Sequence, residues 1–152
     1  MSNEGILGTF ANHDFFRRLG DRHLMLLASG AKPFAVAVGE YLFREGEAAK
    51  AFYLIQSGHV EVGSQTANRG EVIVQTVGPG EVVGWSWLLP PHRWQFNSRA
   101  VDAVRGVAFD AEWLREKCEQ DHELGYHLLT QLLAVMASRL AATWRQVAGM
   151  RP

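Results

Sequence analysis

A single cysteine, Cys118, stands in the 152-residue sequence, so no internal disulfide framework and no multi-cysteine zinc cage can form. Net charge is also nearly missing. Fifteen basic and sixteen acidic residues leave −1 at pH 7, which removes the usual electrostatic reason to expect phosphate-backbone binding. No apolar run reaches the roughly 18 residues that a membrane helix needs. Met1 is followed by Ser2, Asn3 and Glu4, where a signal peptide would carry a basic stretch and an apolar run. Gly-x-Ser-x-Gly and Walker-type loops are absent, as are internal repeats and Gly/Ser-rich linkers. What is present is a 47% hydrophobic, 20% charged chain, a globular balance. The expectation is a cytoplasmic, non-enzymatic protein of one domain over residues 1–152.

Residues 1–30 read as two N-terminal helices. Asn12 caps the first, whose apolar side is Phe15, Phe16 and Leu19, and Gly20 ends it. Asp21 caps the second, with Leu24, Leu27 and Ala28 on one face and Gly30 at its end. From 31 to 110 the rhythm has period two. Strands are expected around Phe34, Val36 and Val38, at Tyr41–Phe43, at Phe52–Ile55, and at Val60 and Val62. Others follow at Glu71–Val77, Ala100–Val104 and Val107–Phe109. Glycine-bearing turns punctuate them at Gly39, Gly46, Ser57-Gly58, Asn68-Arg69-Gly70 and Gly78-Pro79-Gly80. Many short strands between such turns predict an antiparallel β-roll, a jelly-roll-like sandwich that is mainly β with flanking α-helices. Helical spacing returns over 111–149, with a short helix carrying Trp113 and Leu114. A long one runs from an Asp121 cap to about Val147. Along it Leu129, Leu133, Met136, Leu140, Thr143 and Val147 alternate four-three. This is the seam of a paired-helix homodimer, or a helix folded back on its own sheet; spacing leaves both open.

Three stretches carry a resemblance. They are Val38-Gly39-Glu40-Tyr41-Leu42-Phe43-Arg44-Glu45-Gly46, then Phe52 through Val62 around Ser57-Gly58, then Gly78-Pro79-Gly80-Glu81-Val82-Val83-Gly84. With Met136 to Thr143 on the long helix, they make the chain similar to the cyclic-nucleotide-binding domains of catabolite-activator-like regulators and kinase regulatory subunits. The resemblance implies a phosphate-binding cassette at 84–100, with a glutamate for the ribose and an arginine for the cyclic phosphate. In the ungapped kinase-type register, Trp85 stands at the glutamate position and Trp94 at the arginine position. A charge-assisted contact contributes about 1.5–3 kcal/mol and an enclosed anion without its counter-charge loses more, so losing the arginine weakens binding by roughly one to three decades. Cyclic AMP or cyclic GMP is therefore expected to bind weakly or not at all, and no other cofactor is called for. The backbone N–H groups of Ser86 and Trp87 retain some anion affinity at a helix start. Arg93 is one residue out of register.

The pocket candidates are thus Gly84, Trp85, Ser86, Trp87, Arg93, Trp94 and Asn97, with Thr143 and Trp144 on the long helix. The resemblance places Thr143 against a nucleobase, and Trp144 would be an aromatic lid. The tryptophans read either as packing of the cassette against the sheet or as an aromatic wall for an uncharged or aromatic ligand. His59 and Glu61 share a strand face, but no second strand histidine accompanies them, so no metal site of the jelly-roll enzyme type is assigned. Three functions remain in order. The first is a sensor domain binding a small molecule through an altered, tryptophan-rich pocket. The second is a structural or partner-protein module with that pocket closed, and a metal-dependent enzyme trails. No direct DNA contact is expected, since only Gly149 to Pro152 follow Ala148 and no basic stripe lies on the long helix.

Overall fold

The computed structural model describes Phe10 and residues 15–149. Helix α1 (Asp21–Gly30) precedes eight strands: β1 (Ala31–Val36), β2 (Tyr41–Phe43), β3 (Ala51–Ser57), β4 (Val60–Thr66), β5 (Gly70–Val77), β6 (Val82–Val83), β7 (Asn97–Ala100) and β8 (Val104–Asp110). Helices α2 (Ala111–Gln120) and α3 (His122–Gly149) follow. The strands form two four-stranded antiparallel sheets, ordered β1-β8-β3-β6 and β2-β7-β4-β5. This is the β-roll with flanking helices that the patterning predicts. Inward-facing residues of both sheets, among them Leu54, Ile55, Val60, Val77 and Val107, build the core. Phe10, Phe16, Phe52 and Phe109 close one end with ring centroids 4.6–6.2 Å apart.

Several boundaries differ from the sequence reading, each for a local reason. The helix expected from Asn12 begins outside the described residues. Its described end is a turn at 15–19, closed by Leu19 N–H donating to the Phe16 carbonyl at 3.0 Å. Asp21 does not cap α1: Gly20 is the N-cap, and Asp21 lies in the first turn, where its charge still favours the helix N-terminus. Val38 leaves the strand and stands exposed in the Gly39 turn.

The strand expected at Ala100–Val104 is a corner instead. The Asp102 carboxylate accepts from His59 N–H at 2.6 Å and meets His59 Nδ1 at 2.9 Å, while Val101 N–H donates to the His59 carbonyl. A side-chain-built corner carries no glycine or proline signal, so periodicity runs straight through it. The end of β8 follows expectation: Asp110 accepts from Trp113 N–H at 2.8 Å and starts α2.

Helix α3 divides its leucines between two faces. Leu124, Leu128 and Leu132, at successive i+4 steps, are buried on the roll, while Leu129, Leu133, Leu140 and Val147 face outward. The four-three stripe is mostly exposed, although Met136, Leu140 and Thr143 border a cavity against the second sheet.

Candidate ligand-binding site

The loop that connects β6 to β7 folds against the open end of the second sheet because its glycine and its aromatic residues fit one another. Gly84 adopts φ +95°, a conformation that favours glycine, and a Cβ there would meet the Trp94 ring at 2.7 Å. Trp94 fills that space. Its indole stacks on Phe43 of β2 at 3.8 Å between centroids and 11° between planes, and its side chain is buried. Two backbone bonds fix it from behind: Trp94 N–H donates to Glu47 O, and Gly46 N–H donates to Trp94 O at 2.8 Å.

Beside this stack, between the second sheet and α3, lies a cavity of about 260 Å³. Its walls are mostly carbon, from Phe43, Val62, Val74, Trp85, Trp94 and Phe96, with Met136 and Leu140 contributed by α3. The polar groups on it are few: Ser86, Gln75, Gln95, Thr143 and Arg139. Arg139 is the charged one. Its guanidinium donates to the Val82 carbonyl, and burial pushes its pKa below the ordinary value, against the opposing pull of Glu81. An arginine stays protonated under such conditions, so a partly desolvated cation stands at the border between this cavity and a neighbouring cleft lined by Glu81 and Val82.

The cavity thus brings together Gly84, Trp85, Ser86, Trp94 and Thr143, with the seam residues Met136 and Leu140. It does not include Trp87, Arg93, Asn97 or Trp144. Trp87 is buried against Phe52 at 5.2 Å and borders a separate cleft with Leu88, Cys118 and Leu128. Arg93 points outward and donates to the Gly46 carbonyl at 2.9 Å; the one-residue offset turns it away from the cavity. Asn97 is used structurally, accepting from Glu45 N–H at 2.8 Å. Trp144 lies on the exposed side of α3. Sequence reasoning missed Arg139 as a lining residue. The signal was there, because Met136, Arg139, Leu140 and Thr143 fall within one helical face.

Cys118, in the second cleft, is held as a thiol: burial first, then Glu119 and Asp121, push its pKa up to about 11. Its alkylation by iodoacetamide at pH 7.5 should run about two orders of magnitude slower than that of a free cysteine of pKa about 8.5. A rate equal to the free thiol's would contradict this environment.

Residues 34–121 match the family described as "Cyclic nucleotide-binding domain". The chain is 26% identical over 140 residues to a "CRP-like cAMP-activated global transcriptional regulator" of Mycobacterium tuberculosis, covering 92% of this chain and 61% of that protein. It therefore spans about three fifths of that relative. A cyclic nucleotide-binding protein of Geobacter metallireducens superposes with a TM-score of 0.79 at 28% identity, covering 92% of this chain and 98% of the other. A cyclic nucleotide-binding domain from Methylobacillus flagellatus gives a TM-score of 0.82 at 19% identity, over 99% of this chain and 84% of the other. No helix among the described residues is long and apolar enough to cross a membrane. With the family match spanning more than half of the sequence, and the roll, cassette loop and long helix in the corresponding order, this chain belongs to the cyclic nucleotide-binding domain family.

Proposed function

We propose that the chain is a non-catalytic ligand-sensing domain whose pocket takes a small, largely apolar molecule with one anionic group, in preference to cyclic AMP or cyclic GMP. One observation carries the reading. At the register of the family's phosphate-binding arginine stands Trp94, buried flat against Phe43 and over Gly84. An indole occupies that place, so no counter-charge for a cyclic phosphate stands there. Carbon walls favour a ligand by about 25 cal/mol per Å² of apolar area removed from water. The remaining charge preference comes from Arg139, whose planar guanidinium suits a carboxylate. Aromatic carboxylic acids of single-ring size combine both properties, and a cavity of about 260 Å³ suits so small a body.

The reading includes a homodimer through α3, supported by its outward-facing apolar stripe, and no direct DNA contact, supported by the near-zero net charge. Calorimetry with cyclic AMP should return a dissociation constant in the high micromolar range or weaker, and a sub-micromolar value would overturn the proposal. A thermal-shift panel of nucleotides and aromatic acids should give its upward shift with the acids. Arg139→Met should abolish the preference for an acid over its neutral amide. Silence across the whole panel would favour a partner-binding module instead.

A further inference from the structure

At the end of the molecule remote from the pocket, α1 meets the junction between α2 and α3. His23, on α1, is buried there, and its Nε2 stands 3.0 Å from Asp121 Oδ2 in the α2–α3 turn. Glu123, in the first turn of α3, completes the group: one ligand atom each from His23, Asp121 and Glu123 lie within 4.8 Å of one another. Over them reaches Arg22, with Nη1 at 2.8 Å from Asp121 Oδ2 and Nη2 at 3.7 Å from a Glu123 oxygen.

The arrangement contains an internal conflict. Arg22 Nη2 also stands 3.0 Å from His23 Nε2, so one ring nitrogen faces a guanidinium donor and a carboxylate acceptor together. A neutral imidazole nitrogen either donates or accepts, and a protonated one faces the guanidinium as a like charge. Every protonation state leaves one of the two contacts unfavourable. A cation between Nε2 and Oδ2 removes the conflict, because both atoms then offer lone pairs and Arg22 is released to solvent. Asp121 is oriented for this: its other oxygen, Oδ1, accepts from Leu124 N–H at 3.2 Å, so Oδ2 is the oxygen that faces His23 and would exchange Arg22 for an ion.

We propose that His23, Asp121 and Glu123 form a site for one divalent first-row transition-metal ion that clips α1 to the α2–α3 junction, displacing Arg22. Bonds of about 2.0–2.2 Å to nitrogen and oxygen place ligand atoms roughly 3–3.6 Å apart. The His23–Asp121 pair already has that spacing, and only the exposed Glu123 side chain must close in. His127, one turn further along α3 with Nε2 4.0 Å from Glu123 Oε1, is the positioning residue for that movement. The buried imidazole selects zinc-like ions over magnesium, which prefers oxygen ligands and retained water.

The test is calorimetric titration of the full chain, stripped with a chelator, with zinc chloride and separately with magnesium chloride at pH 7.5. Zinc should bind at one equivalent per chain, with magnesium at least about a hundredfold weaker. Glu123→Gln, an exposed substitution that leaves the fold unloaded, should weaken zinc at least tenfold, and Asp121→Asn should do the same. Arg22→Gln should tighten binding several-fold, since the competing cation is gone; a purely structural ion-pair network gives no such gain. The proposal is overturned by the absence of saturable zinc binding, by unchanged affinity in both carboxylate variants, or by affinity lost in His59→Ala instead. Equal affinity for magnesium overturns it as well.

Discussion

Trp94→Ala should lower the unfolding free energy by about 3–5 kcal/mol, the range for removing a large buried aromatic side chain. The expectation rests on where the indole lies. It is 5% exposed, stacked 3.8 Å from Phe43, and seated on the space left by Gly84. Neither neighbour can collapse into the hole. Phe43 is held on β2, and Gly84 has no side chain to offer. The void instead merges with the adjacent cavity, so the lost contacts are not recovered. Urea titration gives the comparison, with Trp144→Ala as control: Trp144 is 65% exposed, and its loss should stay within about 0.5 kcal/mol. A Trp94→Ala protein within 1 kcal/mol of the parent, by the same linear extrapolation, would mean that the stack contributes little.

Leu133→Glu should convert a dimer into a monomer. Leu133 is 65% exposed and lies mid-stripe among Leu129, Met136, Leu140 and Val147, while the packing face of α3 is carried by Leu124, Leu128 and Leu132. Burying a leucine contributes about 1.5–3 kcal/mol, and a symmetric interface buries two. Their loss raises the dissociation constant by about two to four decades at 1.4 kcal/mol each, before the cost of two apposed carboxylates. Sedimentation velocity at tens of micromolar should resolve the shift, with the far-UV spectrum unchanged because Leu133 itself is exposed and lines neither cleft of α3. An unaltered dimer after Leu133→Glu would place the interface elsewhere, and a monomeric parent would remove it altogether.

The sequence made the roll legible because its turns are written in glycine. Gly39, Gly46, Gly58, Gly70, Gly80 and Gly84 all take positive φ; Gly70 opens β5, and the others lie in the connections between strands. The Val101-Asp102 corner was illegible for the complementary reason, since a carboxylate gripping His59 across 43 positions has no local signature. The cassette was readable as a stretch but not residue by residue. Trp85 and Trp94 line the cavity while Trp87, two positions from Trp85, borders the other cleft, because 86–91 form a run of turns where a helix start was expected at Ser86 and Trp87. Arg139 was within reach of periodicity but was weighed only as one charge on a long helix. The meeting of His23 with Asp121 joins residues 98 positions apart through helix packing, and nothing in either neighbourhood announces it.

Leu140 has a further consequence. It lines the cavity and yet is 70% exposed, so between the pocket and the outer face of α3 the wall is a single side chain thick. Whatever presses on Leu140 from without alters the shape available within, and the reverse holds with equal free energy. In the proposed homodimer, ligand occupancy and association would then be two readings of one equilibrium. The apparent affinity for a ligand should change with protein concentration, in the direction set by whichever Leu140 rotamer the paired helices accept.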